Sequence, residues 1–316
     1  MKEQPLVSIA INNYNYARFL SEAIDSALNQ TYPYTEVVVV DDGSTDNSRE
    51  IIASYGDKII PVFKENGGQA SAFNAGFAAS RGEIICFLDA DDIFLPEKVS
   101  EVVEALGNSH NLGWCFHPLK FVDSNGQTSI SNSSNEGLSI TEKKQAESYR
   151  EYDVGSYMKS GKLKDKIPSL PSTSGLCFTR SLLQQILPMP EAKTIGLNDG
   201  YLEFTALGLS KGILLDKELT LYRVHGSNAY AMRKDKQKVQ ARIVLLTAYW
   251  MRVNFPAFYK FTNNVFATGL GMSGRAGGVA VECQEFVKQY LSSVTILEKL
   301  EIYSRAFFHY TKNTQF

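Results

Sequence analysis

The sequence predicts an α/β protein with a doubly wound, mostly parallel sheet flanked by helices, followed by a mainly helical C-terminal extension. Three observations point there. Over roughly the first hundred residues, short apolar runs alternate with segments of helical periodicity. Each of the polar clusters Asn12-Asn13-Tyr14-Asn15, Asp41-Asp42 and Asp89-Ala90-Asp91-Asp92 follows one of those apolar runs directly. From about Met232 onward the segments read mainly as helices.

The elements follow in order. Leu6–Ile11 is a buried strand by pattern, and Leu20, Ala23, Ile24, Ala27 and Leu28 repeat at helical spacing. Glu36–Val40 contains four consecutive valines, the mark of a parallel strand covered on both faces. A helix from about Asn47 turns Ile51 and Ile52 inward, and Ile59–Phe63 forms a third strand. Ala70–Ala79 is a small-residue helix, with Arg81-Gly82 as a glycine-type stop. Glu83–Leu88 is a fourth strand, and Pro96 suits the first turn of a helix over Glu97–Leu106.

Beyond Leu112–Phe116 the pattern loosens. Asp123–Ser139 reads as a Ser-, Asn- and Gly-rich loop with a hairpin turn at Asn125-Gly126. Residues 141–167 are charged and weakly helical, and Pro168–Gly175 is a loop feeding a strand at Leu176–Thr179. Asn198–Leu209 is helical, and Ile213–Leu215 and Leu219–Val224 are strands. The helical C-terminal region is expected to break at the glycine-rich Gly269–Gly278.

Bulk properties narrow the function class. The formal net charge of -2 argues against a nucleic-acid partner held by electrostatics. Cys86, Cys115, Cys177 and Cys283 lie far apart, with no Cys-x-x-Cys pair, which argues against structural zinc and a disulfide framework. With no signal peptide and no long apolar run, a cytoplasmic location is expected, with peripheral attachment to the inner face of the membrane as a variant.

Five motifs carry the chemistry. Carboxylates crowded at one strand end, as in Asp89-Ala90-Asp91-Asp92, repel one another unless a cation joins them. Oxygen ligands suit Mg2+ or Mn2+ shared with substrate phosphates. The same residues also fit a solvated turn capping the next helix. Asp41-Asp42-Gly43-Ser44 fits either a helix-start turn or a carboxylate that accepts a nucleotide base N–H. Gly67-Gly68 lets the backbone approach a ligand at a helix N-terminus, or is an ordinary loop. Asn198-Asp199 opens a helix, so Asp199 is either part of a cap or a general base. His225, inside Tyr222-Arg223-Val224-His225-Gly226-Ser227-Asn228, is a structural side chain or a ligand.

Taken together and in order, these segments resemble glycosyltransferase family 2. Val7–Asn15, Leu28-Asn29-Gln30-Thr31-Tyr32 and Val38–Asp46 resemble its opening. Asn66-Gly67-Gly68, Asn74-Ala75-Gly76 and Gly82–Asp92 continue the likeness, and Ser174-Gly175, Asn198-Asp199 and Tyr222–Gly226 resemble its later landmarks. The resemblance spans about residues 6–228 and is absent from the tail.

It implies a GT-A fold, a nucleotide-diphosphate-sugar donor (a UDP-sugar foremost), Mn2+ or Mg2+, and inversion at the anomeric carbon. By position, Asp42 resembles the base-reading carboxylate, with Asn12, Tyr14 and Gly68 lining the nucleotide-sugar site. Asp91 resembles the metal-binding member of an Asp-x-Asp motif, with Asp89 and Ala90 beside the ribose or donor sugar. His225 resembles a C-terminal metal or diphosphate contact, and Asp199 the catalytic base. Asn198 departs from the pattern, since many relatives carry Glu or Asp there, so the base rests on Asp199 alone.

The expected organisation is a glycosyltransferase domain over residues 1–228, with a donor half (1–110) and an acceptor half (111–228), then a helical extension over 229–316. The acceptor is a carbohydrate or lipid-linked hydroxyl, as in polysaccharide, capsule, O-antigen or glycolipid synthesis. A non-catalytic nucleotide-sugar-binding module and a sugar nucleotidyltransferase are the rivals; the latter lacks its Gly-rich activating loop, and a Rossmann oxidoreductase lacks Gly-x-Gly-x-x-Gly after the first strand. The basic cluster Arg233–Lys238 with Arg242, followed by apolar Ile243–Trp250, fits an interfacial helix on anionic lipid or a homodimer contact.

Overall fold

The computed structural model describes residues 4–108, 111–127, 149–161, 167–191, 196–226, 228 and 235–312. Among them the chain runs β1 (Val7–Asn13), α1 (Ala17–Leu28), β2 (Thr35–Asp41), α2 (Ser48–Ser54), β3 (Ile60–Phe63), α3 (Gln69–Ala79), β4 (Ile84–Asp89), β5 (Ile93–Phe94) and α4 (Lys98–Asn108). There follow β6 (Leu112–Phe116), β7 (Lys120–Val122), β8 (Tyr149–Tyr152), α5 (Gly155–Ser160), β9 (Leu176–Thr179), α6 (Arg180–Ile186), α7 (Asp199–Leu209), β10 (Lys211–Leu215) and β11 (Thr220–Arg223). The last part is helical: α8 (Lys236–Asn254), α9 (Tyr259–Arg275), α10 (Val281–Ser292) and α11 (Ile296–Lys312).

The main sheet has eight strands in the order β3-β2-β1-β4-β9-β6-β10-β8. β3, β2, β1 and β4 pair in parallel, as the alternating strand–helix pattern predicts. Beyond β4 the ladder is mixed: β9 runs antiparallel to both neighbours, and β10 is parallel to β6 and antiparallel to β8. Helices cover both faces. Ile9 and Ile11 of β1 join Leu20, Ile24, Val99 and Val102 in one core, while Ala10 joins Phe73, Phe87, Phe178 and Leu202 in the other. That strict alternation is the period of a strand buried on both faces. The second core continues without interruption into the C-terminal helices through Leu245, Phe261, Phe266 and Tyr290.

A small sheet, β5-β11-β7, lies apart from the main one. Its middle strand runs antiparallel to β5 and parallel to β7. Because β5 comes directly after the acidic cluster, pairing with it carries the end of β11, and with it Arg223, His225 and Asn228, to the rim of the main sheet.

Several local expectations need correction. Within 141–167, residues 149–152 form an edge strand on β10 rather than weak helix, and only 155–160 are helical. Asn125-Gly126 does sit in a tight turn, with Gly126 N–H donating to Asp123 O at 3.0 Å, but the return strand of a hairpin would lie outside the described residues. Gly82 is not a left-handed helix stop; α3 ends at Ser80 in extended conformation. Gly82 is required instead by crowding, since a Cβ there would stand 2.5 Å from the backbone nitrogen of Ser8.

The tail does break within the glycine-rich stretch, at Gly277 and Gly278, whose positive φ values of 93° and 119° follow the end of α9 at Arg275, whereas Gly269, Gly271 and Gly274 lie inside that helix. A Cβ on Gly271 would meet the Ala306 carbonyl of α11 at 2.7 Å, so the glycines there permit close helix packing. The apolar stretch 243–250 is not a free lipid-facing surface, since Leu245, Leu246 and Ala248 are buried in the core. Arg233 and Lys234 of the basic cluster lie outside the described residues.

Candidate functional site

The parallel register builds the site. Asn12 of β1 stands beside Asp89 of β4, and Asn13 beside Asp41 of β2, so the polar clusters that end these strands meet on one rim. A cavity of about 580 Å3 opens there, lined by Asn12, Tyr14, Asp42, Gly68, Gln69, Asp89, Ala90, Asp91, Tyr222 and Asn228 among others. Seven of the sequence-predicted residues (Asn12, Tyr14, Asp42, Gly68, Asp89, Ala90 and Asp91) therefore line a single cavity. This is where ligands bind in open α/β sheets.

On the β2 side, Asp42 is buried and acts as a clamp. Its carboxylate accepts from Lys64 Nζ (2.6 Å), Asn66 Nδ2 (3.1 Å), Gly67 N (3.0 Å) and Gly68 N (2.8 Å). A carboxylate offers about four lone-pair positions, so these donors occupy all of them. Gly68, at φ +83°, caps α3, whose N-terminal end thereby borders the cavity. Side chains disfavour that backbone region, which gives Gly68 its physical reason, while a Cβ on Gly67 would stand 2.6 Å from Ser71 Oγ. Lys64 carries no motif signature and was missed by sequence reasoning. Asn12 is different from Asp42: neither end of its amide has a hydrogen-bond partner among the described residues, although both atoms are buried. Orphaned polar atoms in a cavity wall are unusual enough to suggest ligand contact.

On the β4 side, three carboxylates crowd together. Asp89 is pushed well above the usual carboxylate range, by desolvation first and then by the charges of Asp91, Asp92 and Asp199. Asp91 is raised by desolvation, partly offset by a hydrogen bond with His225. Asp92 is raised to about 7 by desolvation and by Asp91. It accepts from Ser174 Oγ at 2.6 Å and from the Arg223 backbone N–H at 3.0 Å, so it ties three chain segments together instead of capping a helix.

His225, which does not line the cavity, lies directly behind Asp91. Its Nε2 is 3.0 Å from Asp91 Oδ2, and the Asn228 amide donates to the same oxygen at 3.2 Å. The ring is held by Phe19, whose centroid is 4.6 Å away. The end of β11 thus brings a ring nitrogen beside a carboxylate oxygen of the β4 rim.

These residues can be tested against a divalent cation. Among the described residues no group of three or more His, Cys, Asp or Glu is arranged to hold a metal. A closed protein cage is therefore absent among them. Asp91 Oδ2 and His225 Nε2 stand 3.0 Å apart in a direct hydrogen bond, so a cation shared by the two would take the place of the bonding proton. Mg2+ and Mn2+ usually take one or two protein ligands and complete their shell from phosphate and water. The pair fits that arrangement, and a cation would relieve the repulsion that raises Asp89, Asp91 and Asp92.

Asp199 opens α7 with Asn198 as its N-cap, whose Oδ1 accepts from Gly200 N at 3.1 Å. Asp199 Oδ2 accepts from both the N–H and the hydroxyl of Thr173, each at 3.1 Å. Thr173 in turn accepts from Gln69, a cavity residue, at 3.1 Å. Asp199 is therefore linked to the cavity through Thr173 and Gln69 and is not part of its wall. Desolvation raises its pKa, and the Thr173 donors pull against that rise. One turn along α7, Glu203 is buried and held well above the usual range, by desolvation and by Asp199, with Oε1 lacking a partner among the described residues. Its spacing gave no signal in the sequence.

Comparison with known proteins agrees with this geometry. A family model described as "Glycosyl transferase family 2" matches residues 8–170. A glycosyltransferase of uncharacterized activity from Nostoc sp. is 39% identical over 253 residues, covering 77% of this chain and 74% of the relative. Among solved structures, S. aureus TarS 1-349 in complex with UDP-GlcNAc aligns with a TM-score of 0.61 at 18% identity, over 96% of this chain and 89% of the other. The mannosyltransferase PcManGT from Pyrobaculum calidifontis, in complex with GDP-Man and Mn2+, aligns with a TM-score of 0.51 at 15% identity, over 99% and 89%. At those identities the structural likeness speaks for the fold. With the matched family model and the Nostoc relative beside it, the conclusion is that this chain belongs to glycosyltransferase family 2, a transferase built on the GT-A fold.

Proposed function

We propose that the protein transfers a sugar, with inversion, from a nucleoside-diphosphate donor, foremost a UDP-sugar, to an acceptor hydroxyl of a carbohydrate or lipid-linked substrate. The observation that carries this reading is the convergence of Asp42, Asn12, Asp89 and Asp91 on one cavity at the carboxyl ends of the parallel strands. The solved neighbours with UDP-GlcNAc and with GDP-Man and Mn2+ support the ligand class.

In this reading residues 1–110 bind the donor, 111–228 shape the acceptor side, and 229–316 extend the core. The orphaned Asn12 amide and Tyr14 contact the nucleoside, and a base N–H competes with Lys64 for the Asp42 carboxylate. Gly68 allows the chain to approach the donor closely, and Asp89 and Ala90 border its ribose or sugar. Asp91 and His225 would hold the cation, and Mn2+ or Mg2+ bound there would neutralise charge on the departing diphosphate.

An acceptor hydroxyl is nearly as weak an acid as water, with a pKa of about 15.7, so its proton must leave as the oxygen attacks. Asp199 takes that proton, and the two Thr173 donors hold the carboxylate in place while it does so. Isothermal titration of UDP and GDP, each with and without Mn2+, tests the donor site, followed by measurement of nucleotide release from the matching sugar donors. Micromolar, Mn2+-dependent binding of one nucleotide is expected. Absence of binding by both, in a folded protein, would remove the proposal.

A further inference from the structure

The last helix carries an apolar face that the catalytic reading does not use. On α11, Ile302, Ala306 and His309 turn toward α9, with Ala306 O and His309 Cβ within 2.7 Å of a Cβ built on Gly271. On another face stand Ile296, Leu300, Tyr303, Phe307 and Tyr310, between 50% and 77% exposed. Their spacing of 4-3-4-3 residues is the a/d repeat of a coiled-coil seam, confined to a strip narrower than an ordinary core-facing stripe. Leu297 and Phe308, also exposed, flank it.

We infer that α11 is a homodimerisation helix, packing antiparallel against α11 of a second copy about a two-fold axis near Tyr303. Three arguments select this occupant. The first is size: the seven exposed side chains offer on the order of 800 Å2 per protomer, matching half of a standard stable interface. The second is charge. Glu298 is engaged by Asn263 and the Thr295 backbone, and Arg305 by Glu301, which leaves Lys299 and Lys312 as scattered cations. An interfacial helix on anionic lipid needs a concentrated basic face instead. The third is complementarity. An antiparallel pair sets Leu300 against Phe307 and Ile296 against Tyr310, aliphatic on aromatic, and opposes the helix dipoles, whereas a parallel pair would set each aromatic against itself. α11 is already anchored on α9, so pairing does not have to bear the cost of forming an isolated short helix.

Sedimentation velocity of the full chain over a micromolar concentration range tests the inference. The expected result is a dimer that L300E/F307E converts to monomer, raising the dissociation constant by about 100-fold or more, with helix content unchanged. Glu301→Ala, off the seam, leaves the dimer intact. Under oxidation Tyr303→Cys crosslinks to its own copy and Ile296→Cys does not. A wild-type monomer throughout the range, a dimer that survives L300E/F307E, crosslinking through Ile296→Cys alone, or binding of the monomer to phosphatidylglycerol vesicles through this face would each overturn it.

Discussion

Asp92 makes the electrostatics of the acidic rim measurable without knowledge of donor or acceptor. Its folded pKa of about 7 lies above the ordinary 3.8, so between these values the native state holds a proton that the unfolded chain releases. Stability from this group is complete below pH about 4 and is lost as pH rises toward about 7. Each unit of difference corresponds to about 1.36 kcal/mol, which sets a ceiling of about 4 kcal/mol. Proton uptake by neighbouring Asp91 relieves part of the repulsion, leaving roughly 2–4 kcal/mol. With an unfolding entropy of about 2.1 cal/mol/K per residue, that becomes roughly 3–6 °C in melting temperature.

Asp92→Asn removes the titration while keeping the shape. Its Oδ1 still accepts from the Arg223 N–H, and its Nδ2 donates to Ser174 Oγ. Melting curves of wild type and variant, taken from pH 4.5 to 8 with chelator present, should differ by that amount across the window, the wild type losing stability more steeply. The difference between the two is the decisive quantity, because Asp89 and Glu203 are shifted in the same direction and add their own slope. Parallel curves would refute the claim that Asp92 is a strained carboxylate.

Three further outcomes are expected. Asp199→Asn lowers kcat by about 10²–10⁴-fold with donor affinity nearly unchanged, read as nucleotide release in single-substrate titrations; the wild-type acidic limb lies above the ordinary carboxylate range, since the raised Asp199 must lose its proton to act. Asp91→Ala abolishes the Mn2+ dependence of nucleotide binding in calorimetry, because His225 alone makes a poor site for a hard cation. Gly212→Ala lowers stability by about 2–3 kcal/mol or more in urea titrations, because its Cβ would fall 1.9 Å from the Trp114 ring on the adjacent strand β6.

The sequence made the donor half legible because there local chemistry and tertiary structure agree. Val37–Val40 can only be a doubly covered strand, and the polar residues that end it must emerge at the rim. The acceptor half was harder to read. Tyr149–Tyr152 is too short and too exposed to show a strand period, and it becomes a strand only because β10 offers an edge. The glycines of 269–278 read together as one break because close helix packing and helix termination use the same residue; Gly277 and Gly278 do end α9, while the approach of α11 to Gly271 marks the earlier glycines as packing residues. At the site, Asp42, Asp89 and Asp91 carried strong signals from their place after strands. Lys64, Gln69, Thr173 and Glu203 carried none, since their roles arise from tertiary pairs, Lys64 with Asp42 on the neighbouring strand end and Gln69 with Thr173 across 104 residues, or from burial alone.

Arg223 shows how the two sheets are locked at the rim. Its backbone N–H binds Asp92, its carbonyl accepts from Asn228 Nδ2, and its guanidinium lies 4.7 Å from the Phe19 centroid while reaching Glu22 at 2.8 Å and Ser124 O at 3.2 Å. Phe19 also packs on His225, so α1 supports both Arg223 and the Asp91 partner. The ion pair itself is worth little, because the Glu22 side chain is 57% exposed while that of Arg223 is 2% exposed. Glu22→Gln should therefore cost under about 1 kcal/mol. Arg223→Met keeps the apolar stem but removes the stacked cation and the donor to Ser124, and should cost about 2–3 kcal/mol. It should also weaken Mn2+-dependent nucleotide binding, through His225 and Asn228, more than an equally destabilising change such as Gly212→Ala. Equal losses from Glu22→Gln and Arg223→Met would mean that the ion pair, and not the buried stacking, holds the end of β11. Nucleotide affinity untouched by Arg223→Met would mean that His225 and Asn228 find their places without it.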